Sequence, residues 1–220
     1  MTTLAVLPLR YAQGGLSSRL ITVALLACAT SPGFGQSPAD TSGLPPAGFG
    51  TLRQEQVAVR LATSSIQLRV LPLNERIVRL LSPDTYTSLR QLRVAHAEDV
   101  QRLATQHGLH RTDLFLVTFF GLESQAEFNP EDLTVTSQNR LFRPAAIVPL
   151  SAQWSSLQLK QRETASAIYL FEEGIVLFEP LTVSYDGVSS TQWEQSLRAI
   201  ELERARVDAR AAAAPRTNGP

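Results

Sequence analysis

The sequence predicts a mainly β protein with two helices: a β-sandwich, with Ig-like connectivity as one option, carrying a long inserted helix and a C-terminal amphipathic helix. Two observations support this. About eight short apolar segments follow one another at sandwich-like spacing, and two longer segments show helical periodicity. With 44% hydrophobic and 18% charged residues, the chain can build one core.

The first two strands are predicted by apolar residues that alternate with polar ones from Gln56 onward. A loop over residues 62–65 would place both apolar sets on one face. The expected register pairs Val57 with Val70, Val59 with Leu68 and Leu61 with Ile66. A third strand is predicted at Arg76–Leu81, after the turn at residues 73–75.

The inserted helix begins at Ser82-Pro83-Asp84, which supplies a hydroxyl cap, a proline at the first helical position and an acid in the first turn. Its apolar stripe continues to His107, and Gly108 is expected to end it. The sequence therefore predicts one helix over residues 83–107.

Five further β segments and one helix follow. The run DLFLVTFF at Asp113–Phe120 predicts a central strand buried on both faces. A hairpin is predicted from Leu133–Thr136 and Leu141–Val148, joined at Ser137-Gln138-Asn139, and later strands at Ala165–Phe171 and Leu181–Tyr185. The last helix, Thr191–Arg210 after a Ser190 cap, has an apolar stripe of Trp193, Leu197, Ile200 and Val207.

The first 29 residues have the pattern of an export signal: two arginines and no acid, then a short apolar run at residues 20–26 followed by small residues. This run is far below the roughly 20 residues needed to span a bilayer. Leu25-Leu26-Ala27-Cys28 resembles the lipobox of bacterial lipoproteins, which implies lipidation of Cys28, the only cysteine. The alternative is ordinary cleavage after Ala29 or Gly35, which would discard Cys28.

Three regions are expected after the signal. Residues 30–50, rich in Pro, Gly and Ser, are interpreted as a flexible tether. Residues 51–210 are interpreted as a single β-rich domain, and residues 211–220 as a disordered tail. The expected location is periplasmic or associated with the outer membrane if Cys28 carries lipid, and secreted otherwise.

Two clusters could hold a metal ion. His96, His107, His110 and Asp113 offer imidazole and carboxylate ligands of the kind that zinc accepts, and would support a metal-assisted hydrolase of the cell envelope. Surface or helix-capping histidines are the alternative. The acidic group Glu123, Glu127, Glu131 and Asp132 could bind Ca²⁺ or form a solvated loop.

Nucleophile motifs and a phosphate-binding loop are absent from the sequence, so neither catalysis nor a cofactor is expected. The formal net charge of zero argues against nucleic acid as a partner. Residues 51–111 nevertheless carry a balance of +4 and residues 112–192 a balance of −6. The basic part predicts a binding face formed by Arg60, Arg69, Arg79, Arg90 and Arg93.

The function expected from these features is that of an exported, lipid-anchored bacterial envelope protein. It would act as a non-catalytic binding or scaffolding module. The expected partner is an envelope protein or an anionic polymer, and the membrane would be contacted only through the lipid anchor.

Overall fold

The computed structural model describes residues 43–214, and the predicted export signal, Cys28, most of the predicted tether and the end of the predicted tail lie outside them. The described part is mainly β, with several antiparallel sheets. It contains five α-helices, the last of them C-terminal, so the prediction of two helices was wrong. None of the helices in residues 43–214 combines the length and apolarity that crossing a membrane requires.

Eleven strands and five helices make up the described region. The strands are β1 (Val59–Ala62), β2 (Ile66–Pro72), β3 (Thr112–Gly121), β4 (Ala126–Glu127), β5 (Thr134–Ser137), β6 (Arg140–Phe142), β7 (Ala146–Pro149), β8 (Gln158–Leu159), β9 (Thr164–Glu172), β10 (Leu181–Tyr185) and β11 (Val188–Ser190). The helices are α1 (Gln54–Val57), α2 (Glu75–Val78), α3 (Pro83–Ala95), α4 (Ala97–Gln106) and α5 (Trp193–Ala213).

The strands form three antiparallel sheets. The largest has five strands in the order β1-β2-β3-β9-β7, the second has four in the order β11-β10-β5-β6, and β4 pairs with β8. Strand β3 lies in the middle of the five-stranded sheet, as its apolar sequence predicts. Its two faces differ, however, because one is fully buried and the other only partly.

The interior is built on the buried face of β3, where Phe115, Val117 and Phe119 alternate with outward residues. Phe119 makes an edge-on contact with Tyr185 of β10, with ring centroids 5.5 Å apart. This contact joins the five-stranded sheet to the four-stranded one. Phe128 and Trp154 extend the aromatic cluster, so the core is a set of offset and edge-to-face rings.

The β1–β2 hairpin has a different register from the predicted one. Val59 pairs with Val70 and Leu61 with Leu68. The turn is tighter than expected, because the Thr63 amide donates to the Ile66 carbonyl at 2.8 Å and the Thr63 hydroxyl accepts from the Ile66 amide. The shift is two residues, so the apolar side chains stay on the buried face. Val57, predicted in the strand, belongs to α1.

The predicted strand Arg76–Leu81 was wrong, since this segment opens with helix α2. The side chain of Asn74 accepts a hydrogen bond from the Arg76 amide at 2.9 Å, which is the geometry of a helix N-cap. The apolar residues of the segment, Ile77, Val78, Leu80 and Leu81, are all buried. Their spacing fits a helical turn as well as a strand, and the cap decides between the two.

The single helix predicted over residues 83–107 is two helices, α3 and α4, that meet at His96. The predicted start is confirmed, with Pro83 in the first helical position. At the break, Glu98 and Asp99 occupy the first turn of α4, where acids stabilise a helix N-terminus. These acids favour the start of a second helix at this point, although the apolar stripe over residues 83–107 shows no interruption.

Two tight hairpins shape the four-stranded sheet. Gln138 and Asn139, both with positive φ, join β5 to β6 at the predicted turn. The predicted strand 141–148 is divided, because β6 ends at Phe142 and β7 pairs with β9 in the other sheet. The second hairpin, at Asp186-Gly187, joins β10 to β11.

Helix α5 buries the stripe that the sequence predicts, and Trp193 donates its indole N–H to the Leu177 carbonyl at 3.1 Å. The helix also buries a charge: Glu203 is 1% exposed. Its carboxylate accepts from the Thr51 amide and hydroxyl, both at 2.8 Å, and from Arg210 at 3.0 Å. Every oxygen therefore has a donor, which offsets the cost of burial.

The described end of the predicted tether contacts the domain. Phe49 packs against the core, and Arg210 donates to its carbonyl. Arg79 donates to the Pro45 carbonyl at 3.2 Å, and Arg204 to the Gly43 carbonyl at 3.4 Å. Residues 43–50 are thus held by side chains from α5 and from the turn after α2.

Replacement of Glu203 by alanine is expected to lower the free energy of unfolding by about 2–3 kcal/mol, because it removes the acceptor for Thr51 and the partner of Arg210. Glu201→Ala, on the exposed face of the same helix, is the control and should change it by less than about 0.5 kcal/mol. Urea unfolding measures both. Equal losses in the two variants would contradict the role of Glu203.

The pH dependence of the same variant has a definite sign. Burial by itself raises the pKa of Glu203, but hydrogen bonds from Arg210 and Thr51 outweigh it and hold the pKa below its ordinary value of 4.5. The stability that Glu203 contributes is therefore present above that value and is lost as the pH falls through the lowered pKa. The difference in the free energy of unfolding between wild type and Glu203→Ala, measured by urea unfolding, should therefore narrow in this acid range.

Candidate binding face

The outward face of the five-stranded sheet brings side chains from four strands into rows. The register places Arg60 opposite Arg69, Arg69 opposite Thr118, and Thr118 opposite Ser166. Because residues at paired positions point to the same side of a sheet, the four side chains form one row across β1, β2, β3 and β9. Gln67, Phe120 and Thr164 form the neighbouring row.

The first row begins with two like charges directly opposite each other. Cross-strand partners are roughly 4.5–5.5 Å apart at Cα, and like charges in such a pair are destabilising. Among residues 43–214, no carboxylate lies within 4.0 Å of either guanidinium group. The backbone amide of Arg60 donates to the side-chain oxygen of Gln192 at 3.1 Å, and this acceptor is uncharged. The pair is a concentration of positive charge that the fold does not neutralise nearby.

The remainder of this surface combines hydroxyl, amide and aromatic side chains in an open groove. The Ser166 hydroxyl donates to the Thr118 hydroxyl at 3.1 Å, which leaves the Thr118 hydrogen able to donate to a ligand. Arg60, Gln67, Arg69, Phe120 and Thr164 line a groove of about 390 Å³ together with Thr118. We call this surface the arginine face. Its chemistry suits an anion held by guanidinium groups, with hydroxyls and one aromatic ring beside it.

The other half of the same outward face is covered by helices. Ile168 and Leu170 of β9 also point outward, yet both are 0% exposed, because α3 and α4 lie over this part of the sheet. The two halves differ because the outward residues of β3 change from Leu114 and Leu116 to Thr118. Leu114 and Leu116 lie on the helix-covered half, whereas Thr118 and Phe120 lie on the open arginine face.

The remaining arginines of the predicted basic face have other surroundings. Arg79 and Arg93 both form ion pairs with Glu75, at 2.8 and 3.0 Å. Arg79 is also hydrogen bonded to the Pro45 carbonyl, so its contacts are within the fold. Arg90 and Arg93 line a separate groove beside α3. The five arginines therefore form two groups, one at Arg60 and Arg69 and one around Glu75.

Glu75 is the centre of the second group. Burial by itself raises the pKa of Glu75, but hydrogen bonds from Arg79 and Tyr86 outweigh it. The positive charges of Arg79 and Arg93 lower the pKa further, so it lies below the ordinary glutamate value. The carboxylate is therefore ionised at neutral pH and fixes the arginines around it.

The structure does not bring the predicted metal ligands into one site. His96 lies at the α3–α4 junction, His107 follows α4, and His110 is exposed in the next loop. Asp113 accepts from the Gly174 and Ile175 amides at 3.0 and 2.9 Å, so its carboxylate holds a loop. In residues 43–214 no group of three or more His, Cys, Asp or Glu side chains could hold a metal ion.

The predicted acidic cluster is also divided. Glu127 and Asp132 line an open groove of about 580 Å³, where Asp186 from the β10–β11 turn joins them. Glu123 and Glu131 do not line it. The Tyr185 hydroxyl in this groove is engaged by the Asn129 amide at 3.1 Å. The groove is acidic, with three carboxylates from Glu127, Asp132 and Asp186, while the Tyr185 hydroxyl and the Asn129 side chain in it bond within the fold.

Comparison with known proteins adds no functional information: no protein-family model matches the chain, and neither the curated proteins nor the solved structures give a match.

Some residues of the arginine face could have been found from the sequence and some could not. Alternation along DLFLVTFF already places Thr118 on the same side as Leu116 and Phe120. The contribution of Ser166 depends on the β3–β9 register, for which the sequence has no local signal. The Arg60–Arg69 pair was missed because the predicted register was two residues away from the observed one.

Proposed function

We propose that this chain is an exported bacterial envelope protein, anchored by lipid on Cys28, that works as a non-catalytic binding module. Its ligand carries closely spaced anionic groups, on an acidic envelope protein or an anionic polymer. The arginine face is the contact surface. The observation that carries this proposal is the Arg60–Arg69 pair, whose like charges have no carboxylate partner within 4.0 Å among the described residues.

The energetics favour a binding role for this pair. Like charges at directly opposed positions of two strands cost folding energy, and an anion bound between Arg60 and Arg69 would offset that cost. Guanidinium groups bind carboxylates and phosphates through paired hydrogen bonds, and the nearby Thr118 hydroxyl, which accepts from Ser166, can donate a weaker one. Exposed charges of this kind chiefly determine association rate and orientation.

We also propose that the two facing sheets make the domain a β-sandwich. The support is the side-chain contact between Phe119 of β3 and Tyr185 of β10. Ig-like connectivity is not confirmed, since β1, β2 and β3 are successive neighbours in one sheet, whereas the third strand of an Ig domain moves to the opposite sheet.

Neutralising the pair tests the proposed binding surface. The double variant Arg60→Gln/Arg69→Gln is expected to bind a polyanion about five- to tenfold more weakly than wild type at low salt, because two unshielded charges are lost. Polyglutamate represents an acidic protein and polyphosphate an anionic polymer, and titration of each into the full chain shows which chemistry is preferred.

The matched control is Arg143→Gln/Arg206→Gln, which removes two exposed arginines from other surfaces. It should retain affinity within about twofold, as expected for non-specific charge effects. An equal loss in both double variants, or saturable binding of neither polyanion by wild type, would remove the support for the arginine face.

The lipid anchor has its own test, independent of the ligand. Mass spectrometry of the mature protein from bacterial membranes should find an N-terminal Cys28 bearing acyl chains, and Cys28→Ala should release the protein from the membrane fraction. A mature chain that begins at Thr30 or Gln36 instead would contradict the anchor and leave the binding proposal to be judged separately.

A further inference from the structure

The corner between α3 and α4 encloses a second groove on the helix-covered half of the same sheet. Its volume is about 340 Å³, within the range of small-ligand pockets. Val94, Ala97 and Val100 line it from the helices, and Leu114 and Ile168 form its floor on β3 and β9. We call it the corner groove.

The apolar lining of the corner groove continues to the surface. Val94 is 69% exposed, which is a greater exposed fraction than that of the other exposed large apolar side chains in residues 43–214. Val94 lines the same groove as Leu114 and Ile168, so its exposed side chain and the floor form one apolar surface. A ligand with an apolar chain would cover Val94 and contact Leu114 below it.

The charge at the mouth specifies the rest of the ligand. Arg90 and Arg93 of α3 line the groove, and Glu75 of α2 lines it with them. Both oxygens of Glu75 are occupied, because Oε1 accepts from Arg79 and Tyr86 and Oε2 accepts from Arg93. Two guanidinium groups against one carboxylate in the groove lining leave a balance of +1, so an anionic head group is attracted there.

We propose that the corner groove binds a single-chain amphipathic anion, with a carboxylate head at Arg90 and Arg93 and an acyl chain over Val94, Val100 and Leu114. The head group forms charge-assisted hydrogen bonds to the guanidinium groups. Burial of the chain supplies affinity in proportion to the apolar area covered. This site is separate from the arginine face and takes a different class of ligand.

Decanoate is the probe, titrated calorimetrically into the full chain below its micelle-forming concentration, with decanol and acetate as matched probes. Decanoate should bind saturably, with decanol about tenfold weaker and acetate not detected, because the site requires both head and chain. Arg90→Gln should weaken decanoate about five- to tenfold without changing the affinity for decanol.

Val94→Glu should abolish decanoate binding, since it places a carboxylate where the chain enters. Leu202→Glu is its control: Leu202 is 54% exposed on α5, so the substitution makes the same chemical change far from the groove, and binding should be retained. Both residues are exposed, so both variants should fold. The proposal is overturned if wild type shows no saturable binding of decanoate, if decanol binds as tightly, or if the two variants behave alike.

Discussion

The alternation of side chains along β3 is the constraint on which both faces of the five-stranded sheet depend. Phe115, Val117 and Phe119 point inward and form the centre of the aromatic core. The residues between them point outward, where Leu114 and Leu116 are followed by Thr118. This one change from apolar to polar divides the outward face. The leucine half binds α3 and α4, and the threonine half stays open to solvent.

Both proposed sites follow from this division. The arginine face occupies the open half, where pairing across four strands places Arg60 and Arg69 beside Thr118. The corner groove lies where the helices meet the covered half, with Leu114 as part of its floor. One sheet face thus presents a polar cationic surface and an apolar groove with a cationic mouth. The ion pair with Glu75 keeps Arg93 of the second site in place.

The sequence was informative where the signal was local. The apolar runs of β3, β9 and β10, the helix start at Pro83 and the buried stripe of α5 were all predicted, because periodicity and capping residues identify them directly. The predicted strand at residues 76–81 was wrong because the N-cap at Asn74 overrides an ambiguous apolar pattern. The Asp186-Gly187 hairpin was missed although Asp-Gly is a typical turn signal.

The candidate sites were harder to predict, since they arise from pairing between distant segments. Arg60 and Arg69 were identified as members of a basic face, but their juxtaposition requires the observed register. Nothing local in the sequence indicates that Arg79 would bond to the Pro45 carbonyl, or that Asp113 would hold a loop rather than a metal ion. Long-range register and loop contacts therefore decide which charged residues stay available to a ligand.

We infer that Arg60 and Arg69 repel each other, since neither guanidinium group has a carboxylate within 4.0 Å among residues 43–214. A double-mutant cycle of Arg60→Gln and Arg69→Gln, measured by urea unfolding at low salt, tests it most directly. We expect a repulsive coupling of about 0.2–1 kcal/mol that shrinks as salt is added, with the second neutralisation adding less stability than the first. A zero or attractive coupling, with each single variant less stable than wild type, would contradict the account.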